Sequence, residues 1–202
     1  MIIDETYLLP TKNYYEVESI KKQIVFGNTL NHDMRHVSGW LHRLNGHYKK
    51  TAAFTIDAAG IVYKHFEPKY QSNYFHDLEQ NSKTIVVLLE NDGWLIKDKE
   101  KNEFISWLGY IYKEPENIVK KKWRGYDFWA PYTDKQLESA FELVDQLCEE
   151  FFIPKTALNN NVKNDDLNEY MGILYKSNLN KIYTDLSPAF DFETFKTKIE
   201  TI

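Results

Sequence analysis

Two apolar runs constrain the fold of this chain more than any other feature. Residues 84–89 (TIVVLL) are β-branched or leucine at every position, and residues 23–26 (QIVF) form a second run that leads into Gly27, Asn28 and Thr29. Both runs lack the alternation of a half-exposed strand, which is typical of strands that are buried on both faces of a sheet. The chain is therefore predicted to contain a sheet with buried central strands.

Helical periodicity predicts the elements that flank this sheet. Residues 33–44 place apolar side chains at helical spacing on one face, and residues 134–151 do so more strongly. Thr133 is a good N-cap for the second of these helices, and Gln136 three residues later completes the pattern of a capping box. A last helix is predicted to begin after Asp191.

Further strands are predicted at residues 52–56, 61–66 and 172–175. Residues 94–132 are rich in Trp and Tyr and are predicted to be irregular, apart from one short strand at residues 104–108. Because strands and helices are interleaved, we predict an α/β fold in a single domain, with a central mixed β-sheet flanked by helices.

Length and charge limit the classes of function. With 202 residues, of which 43% are hydrophobic, the chain can bury the core of one domain, which we expect at residues 20–202, after an N-terminal extension at residues 1–19. No apolar run is long enough to span a bilayer and no signal peptide is recognisable, so synthesis in the cytoplasm without a membrane span is expected. A net charge of −5 argues against nucleic acid as a partner, and the basic run at residues 120–124 is interpreted as a solvated loop.

Five segments carry motif-like patterns in a fixed order. They are the first apolar run closed by Thr29, residues 52–63 (AAFTIDAAGIVY), residues 81–91 (NSKTIVVLLEN), residues 124–126 with 132–136 before the long helix, and residues 172–188, which begin with Gly-Ile and end with Pro. In this order they resemble the zinc-dependent N-acetylmuramoyl-L-alanine amidase family, which is related to peptidoglycan recognition proteins and the T7-type phage lysozyme. The resemblance implies that family's fold and, as its activity, cleavage of the amide between the lactyl group of muramic acid and L-alanine.

The resemblance also assigns the positions of the three zinc ligands. The first, a histidine of the family, falls on Gly27, beside Asn28; the second falls on Lys176, or on Tyr175 if the register slips by one; the third falls on Asp185. Glycine has no side chain that could coordinate zinc, and a lysine ammonium repels a divalent cation. The resemblance therefore implies an amidase scaffold that has lost its metal site.

The family's other functional positions have changed chemical type as well. Its catalytic glutamate falls on Leu88 and its hairpin tyrosine on Ala52, while Glu90 lies two residues beyond Leu88 on the same strand face as a displaced acid. The histidine beside the substrate groove falls near Tyr74 and His76. Side chains proposed for a binding groove are Tyr74, His76, Glu90, Trp94 and Tyr175.

Some side chains leave alternatives open. His32 and His36 are four residues apart on the first predicted helix, but no third ligand is identifiable, so they are interpreted as exposed. His65 is interpreted as lining the groove or as exposed. An ion pair between Lys176 and Asp185 in the vacated metal pocket is a further hypothesis.

The leading functional hypothesis is a non-catalytic amidase-like domain, without a cofactor, that binds a protein partner, a larger assembly or a peptidoglycan fragment. A structural subunit of a phage tail or a contractile injection system is one form of it, which would place the chain in a virion or an injection-type particle. One alternative is an active amidase that binds zinc through relocated ligands. Another is an inhibitor or immunity-type partner of a true amidase.

Overall fold

Two β-sheets organise the computed structural model, which describes residues 3–201. Within these residues the strands are, in chain order, β1 Ile3–Asp4, β2 Gln23–Asn28, β3 Phe54–Ile56, β4 Val62–Lys64, β5 Thr84–Leu89, β6 Trp94–Asp98, β7 Glu103–Ser106, β8 Val119–Trp123, β9 Tyr126–Trp129 and β10 Gly172–Tyr175. The α-helices are α1 Arg35–His42, α2 Leu78–Lys83, α3 Asp134–Phe151, α4 Lys176–Leu179 and α5 Phe192–Ile199. No helix in the described part of the chain is long and apolar enough to cross a bilayer.

The six-stranded main sheet is mixed, with the order β1-β4-β3-β5-β2-β10. The strands β3, β5, β2 and β10 are parallel, whereas β4 pairs antiparallel with β3. The two predicted apolar runs, β2 and β5, are neighbours inside the sheet, and both are buried at every residue. Because both faces of these strands are covered, they carry apolar residues without alternation. The predicted single α/β domain with a central mixed sheet flanked by helices is confirmed.

The register of the main sheet shows which helices cover each face. The ring of Phe26 meets Phe195 of α5 edge-on at 5.6 Å, and Phe195 stacks on Phe141 of α3 at 4.7 Å. Side chains alternate along a strand, so Gly27 faces the opposite side of the sheet. Thr55 shares that side, because both residues align with the same position of β5, and α1 covers it.

Two histidines contribute to the core beneath α1. His36 is 9% exposed and His65 is completely buried. The hydroxyl oxygen of Thr55 lies 3.0 Å from His36 Nε2 and 2.9 Å from His65 Nε2, and Trp40 packs edge-on against both rings. The prediction that His36 and His65 lie at the surface or in a groove is wrong, because Thr55 offers each ring a polar partner inside the core.

The prediction of an irregular region at residues 94–132 is wrong. The strands β7, β6, β9 and β8 form a four-stranded antiparallel sheet in that order. Aromatic pairs join its strands, since Trp94 stacks on Tyr126 at 4.3 Å and Phe104 meets Phe128 at 5.0 Å. The lysines of β8 lie on an edge strand, where charged side chains are common, so the sequence there has no apolar run.

The long helix α3 begins where its sequence predicts. Thr133 Oγ1 accepts a hydrogen bond of 3.1 Å from the backbone N–H of Gln136, which confirms the N-cap. The prediction of a capping box is wrong. The Gln136 side chain does not bond back to Thr133 but donates to the carbonyls of Ile56 at 2.9 Å and Glu90 at 3.0 Å. This amide ties the start of α3 to the carboxyl ends of β3 and β5.

Part of the predicted N-terminal extension packs on the main sheet. Strand β1 pairs in parallel with β4 at the sheet edge. The buried ring of Tyr14 stacks on Phe66 with centroids 4.8 Å apart. Residues 1 and 2 of the extension lie outside the described residues.

Candidate functional site

The carboxyl ends of four parallel strands meet at one edge of the main sheet. Strand β2 ends at Asn28, β3 at Ile56, β5 at Leu89 and β10 at Tyr175, and all four run in the same direction. In open α/β sheets, ligands bind at the carboxyl ends of the strands. The residues that end β2 and follow β10 are therefore well placed for a site.

Gly27, Lys176 and Asp185 come together at this edge. Lys176 Nζ lies 3.2 Å from Asp185 Oδ2, and the backbone N–H of Asn28 donates to the same oxygen at 3.0 Å. A Cβ atom at Gly27 would lie 2.9 Å from that oxygen and 3.2 Å from a methyl carbon of Leu88. The three positions that the resemblance assigns to zinc ligands thus converge, and the Asp185 carboxylate occupies the space that glycine leaves free.

The hypothesis of an ion pair between Lys176 and Asp185 is confirmed. Only 13% of the lysine side chain and 3% of the aspartate side chain are exposed. Burial opposes the charged ammonium, but the Asp185 carboxylate and the Tyr74 hydroxyl outweigh it and raise the pKa of Lys176 above its ordinary value. Lys176 therefore stays a cation at neutral pH, at a position that the resemblance assigns to a zinc ligand.

Two tyrosine rings surround the ammonium of Lys176. Its Nζ lies 5.3 Å from the ring centroid of Tyr74 and 4.7 Å from that of Tyr183. Burial raises the pKa of Tyr74 to about 12, although the nearby Lys176 works in the opposite direction. Tyr74 is thus a neutral phenol that contacts a cation, and it cannot serve as a base near neutral pH.

The side chain of Asn28 faces away from this ion pair. Its Oδ1 accepts a hydrogen bond of 2.9 Å from the Tyr132 hydroxyl, whose oxygen accepts one of 3.2 Å from the backbone N–H of Ser187. Burial raises the pKa of Tyr132 to about 12, so it remains a donor. Asn28 therefore contributes its backbone N–H to the site, while its side chain connects β2 to the segments around Tyr132 and Ser187.

The remaining positions of the family's chemistry are structural or displaced. Leu88 and Ala52 are buried apolar residues. One oxygen of Glu90 accepts the backbone N–H of Met34 at 3.1 Å, and the other accepts that of Ala58 at 3.4 Å. Burial raises the pKa of Glu90 despite these bonds. Its carboxylate is thus held by the backbone of the loop before α1 and of the hairpin after β3.

The proposed groove residues do not lie in one place. Tyr175 is completely buried and packs edge-on against Phe192, because it lies opposite Phe26 on the sheet face that α5 covers. Trp94 belongs to the second sheet. His76 lines a cavity of about 350 Å³ together with Tyr183, whose ring lies 4.7 Å from Lys176 Nζ.

Arg124 is a site residue that the sequence analysis missed. It lies in the turn between β8 and β9, and its guanidinium donates to the carbonyls of Asn180 and Ser177 at 3.1 Å each, of Asn161 at 3.4 Å, and of Tyr183. The prediction of a solvated loop is therefore wrong for Arg124. This side chain fastens the second sheet to the segment that carries Lys176 and Asp185, and no local sequence pattern indicates those distant carbonyls.

Replacing Gly27 with alanine is expected to lower the free energy of unfolding by about 1–3 kcal/mol, because the new methyl group overpacks a filled site. The contacts at 2.9 and 3.2 Å leave no room for it. Urea unfolding of Gly27→Ala measures the loss. Gly39→Ala on α1 is the matched control, since its Cβ would meet only the Arg43 side chain at 3.9 Å or more, and it is expected to stabilise the chain by up to about 1 kcal/mol. Equal stability of the two variants would contradict this account of Gly27.

The residues at this edge do not fit zinc. A catalytic zinc needs three protein ligands from histidine, cysteine or carboxylate side chains. Of the three converging positions, Gly27 offers none, Lys176 brings a positive charge, and Asp185 is already bound to that charge. Among residues 3–201, no group of three such side chains is arranged to hold a metal ion.

Comparison with known proteins identifies solved structures that share this fold. No protein-family model matches the chain, and no curated protein matches it in sequence. Solved structures do match. The catalytic domain of XlyA superposes with a TM-score of 0.57 at 14% identity, over 98% of this chain and 99% of that one. The N-acetylmuramoyl-L-alanine amidase LysC from Clostridium intestinale gives a TM-score of 0.52 at 13% identity, over 98% and 97% of the two chains.

A third match carries a ligand in its own structure. The N-acetylmuramyl-L-alanine amidase AmiD from E. coli, solved in complex with the substrate anhydro-N-acetylmuramic acid-L-Ala-D-gamma-Glu-L-Lys, gives a TM-score of 0.57 at 11% identity. The match covers 96% of this chain and 66% of AmiD. Together with the mixed sheet and its flanking helices, these likenesses show that the chain has the fold of the N-acetylmuramoyl-L-alanine amidases.

Proposed function

We propose that this chain is a non-catalytic domain that uses the amidase fold to bind a peptidoglycan fragment without zinc. The observation that carries the proposal is the buried ion pair of Lys176 and Asp185 against Gly27. A cation belonging to the chain lies at a position that the resemblance assigns to a zinc ligand, and the carboxylate at another such position is its partner. Lewis-acid activation of a water by a metal has no ligand set to support it there.

The choice of ligand is supported by the fold. AmiD, which shares it, was solved with a muropeptide substrate. In this chain the cavity of about 350 Å³ beside Tyr183 is within the size range of small-ligand sites. A binding domain can keep such a cavity while the chemistry at the strand ends is lost.

The proposal is tested by metal content and hydrolysis together. Protein dialysed against zinc and then against buffer is expected to retain much less than one zinc per chain, and to release no peptide from muropeptides. The matched positive control is Gly27→His combined with Lys176→His, which with Asp185 would supply two histidines and a carboxylate. This double variant is expected to retain about one zinc per chain, in line with that ligand set.

Retention of one zinc per unaltered chain, or release of peptide from a muropeptide, would overturn the proposal in favour of an active amidase with relocated ligands. A partner protein, including a place in a virion or an injection-type particle, is a second form of the same non-catalytic proposal. It predicts that the chain copurifies with a specific protein from its native source. Repeated copurification with an active amidase would instead support an inhibitor or immunity-type role.

A further inference from the structure

A second lysine accompanies the ion pair at the strand ends. Lys50 lies in the segment before β3, and its Nζ is 6.0 Å from the ring centroid of Tyr74. Lys176 Nζ is 5.3 Å from the same centroid. Two ammonium groups therefore lie close to one buried phenol ring.

The charges at this place do not cancel. Lys176 and Asp185 neutralise each other, but among the described residues no carboxylate lies within ion-pair distance of Lys50. Burial and then the charge of Lys176 lower the pKa of Lys50, while Asp185 opposes them. The Arg124 guanidinium also interacts electrostatically with Asp185, so three cations share one carboxylate and the site keeps an excess of positive charge.

Hydrogen-bond donors are also left over. A lysine ammonium has three N–H donors. Lys176 uses donors on Asp185 and on the Tyr74 hydroxyl. The ammonium of Lys50 contacts the Tyr74 ring and donates to no residue in the described part of the chain. Donors on both lysines are thus available to an anion.

Tyr183 links the surroundings of Lys176 to a cavity that neither lysine lines. Tyr183, whose ring lies 4.7 Å from Lys176 Nζ, also lines the cavity of about 350 Å³. Amide side chains contribute to its wall, among them Gln80, Asn164 and Asn168. Such side chains can donate to and accept from the peptide groups of a ligand. The cavity therefore offers polar partners to the neutral part of a ligand, and Tyr183 is the residue that it shares with the surroundings of Lys176.

We propose that Lys50 and Lys176 bind a carboxylate of a peptide ligand, with the rest of that ligand in the cavity beside Tyr183. The inference rests on the proposed binding function and names the group that the site recognises. The excess positive charge favours an anion. A carboxylate is chosen because a peptidoglycan peptide carries carboxylates, as does the D-gamma-Glu-L-Lys end of the ligand bound to AmiD.

The test compares two probes that differ by one charge. N-acetyl-alanyl-alanine and its C-terminal amide are each titrated into the isotope-labelled full chain. Binding is measured by NMR from the backbone N–H signals of Gly27 and Asn28 and from the side-chain signals of Lys50 and Lys176. The acid is expected to bind about tenfold more tightly than the amide, as for one charge-assisted hydrogen-bonded contact. It should also raise the pKa of Lys50, because the bound carboxylate stabilises the ammonium.

Two glutamine variants locate the contact. Lys50→Gln is expected to weaken binding of the acid about tenfold and to leave binding of the amide unchanged, because it removes one charged contact. Lys163→Gln is the matched control, since Lys163 also lines the cavity but is paired with Asp165. It should change neither affinity. Urea unfolding of both variants verifies that the fold is retained.

The outcomes separate this inference from the proposed function. Equal affinities for acid and amide, or an unchanged affinity of Lys50→Gln for the acid, would overturn the lysine site while leaving a non-catalytic binding domain in place. Tighter binding of inorganic phosphate than of the acid would overturn the choice of a carboxylate. Release of alanine from the acid, or of alaninamide from the amide, would instead overturn the proposed function.

Discussion

Replacing Lys176 with methionine is expected to lower the free energy of unfolding by about 3–5 kcal/mol, because it leaves a buried carboxylate without its counter-charge. Asp185 is 3% exposed at its side chain, so water cannot replace the ammonium. The Asn28 N–H would be the one remaining donor to Asp185 Oδ2 among the described residues. Urea unfolding at neutral pH measures the loss.

A surface lysine gives the matched control for this prediction. Lys196 pairs with Glu200 at 3.9 Å, and more than a third of each side chain is exposed. Lys196→Met is expected to change stability by less than about 0.5 kcal/mol. Combining Lys176→Met with Asp185→Leu should recover part of the loss, since an apolar pair removes the unpaired charge. If Lys176→Met lowers the free energy of unfolding no more than Lys196→Met does, the ion pair does not stabilise the site.

Acidification from about pH 7.5 to pH 5 is expected to lower the free energy of unfolding by about 4 kcal/mol through His36 and His65. Burial lowers the pKa of His36 to about 3, with His65 adding to the effect, and burial lowers that of His65 to about 4. In the unfolded chain both titrate near 6.5. Below that pH the unfolded state binds more protons, so stability is full above about pH 6.5 and falls as the pH decreases, by about 1.4 kcal/mol per unit for each histidine.

The hydrogen bonds of this pair explain why both rings stay neutral. His65 Nδ1 lies 3.0 Å from the carbonyl of Tyr7, which can only accept, so this nitrogen carries the proton. His65 Nε2 then accepts from the Thr55 hydroxyl, and the Thr55 oxygen accepts from His36 Nε2–H. A further proton on His36 would stand on Nδ1, which is buried and has no partner among the described residues.

A comparison of variants isolates the histidine contribution. His36→Gln can still donate to Thr55 but cannot take up a proton, so its loss between pH 7.5 and pH 5 should be about 2 kcal/mol smaller than that of the unaltered chain. The exposed His42→Gln should behave like the unaltered chain. Glu90 works in the opposite direction, because burial raises its pKa, and it is common to all three proteins. Parallel pH profiles for His36→Gln and the unaltered chain would contradict the prediction.

The main sheet could be predicted because its signals are local. The run at residues 84–89 is apolar at every position and forms β5 with the predicted bounds. Thr133 caps α3 through the backbone N–H of a residue three positions later. The second sheet was missed because its strands pair through aromatic side chains and a charged edge, which leave no apolar run in the sequence.

The candidate site could be predicted only where strand order carries the information. Gly27, Lys176 and Asp185 converge because β2 and β10 are parallel neighbours with the same end. Tyr175, the alternative from a register slip, is excluded from the site because it pairs with Phe26 and faces α5. Arg124 binds the carbonyls of four residues far from it in the chain, and such contacts depend on the tertiary fold alone.

The close packing around Gly27 bears on whether single substitutions could give this chain a metal site. A histidine at Gly27 alone would collide with the Asp185 carboxylate, 2.9 Å from its Cβ, while Lys176 still holds that carboxylate in place. A histidine at Lys176 alone would remove the charge that keeps the buried carboxylate stable. Each single substitution therefore passes through a less stable protein, and only both together would supply a ligand set. The ion pair therefore opposes the stepwise acquisition of a metal site at this edge of the sheet.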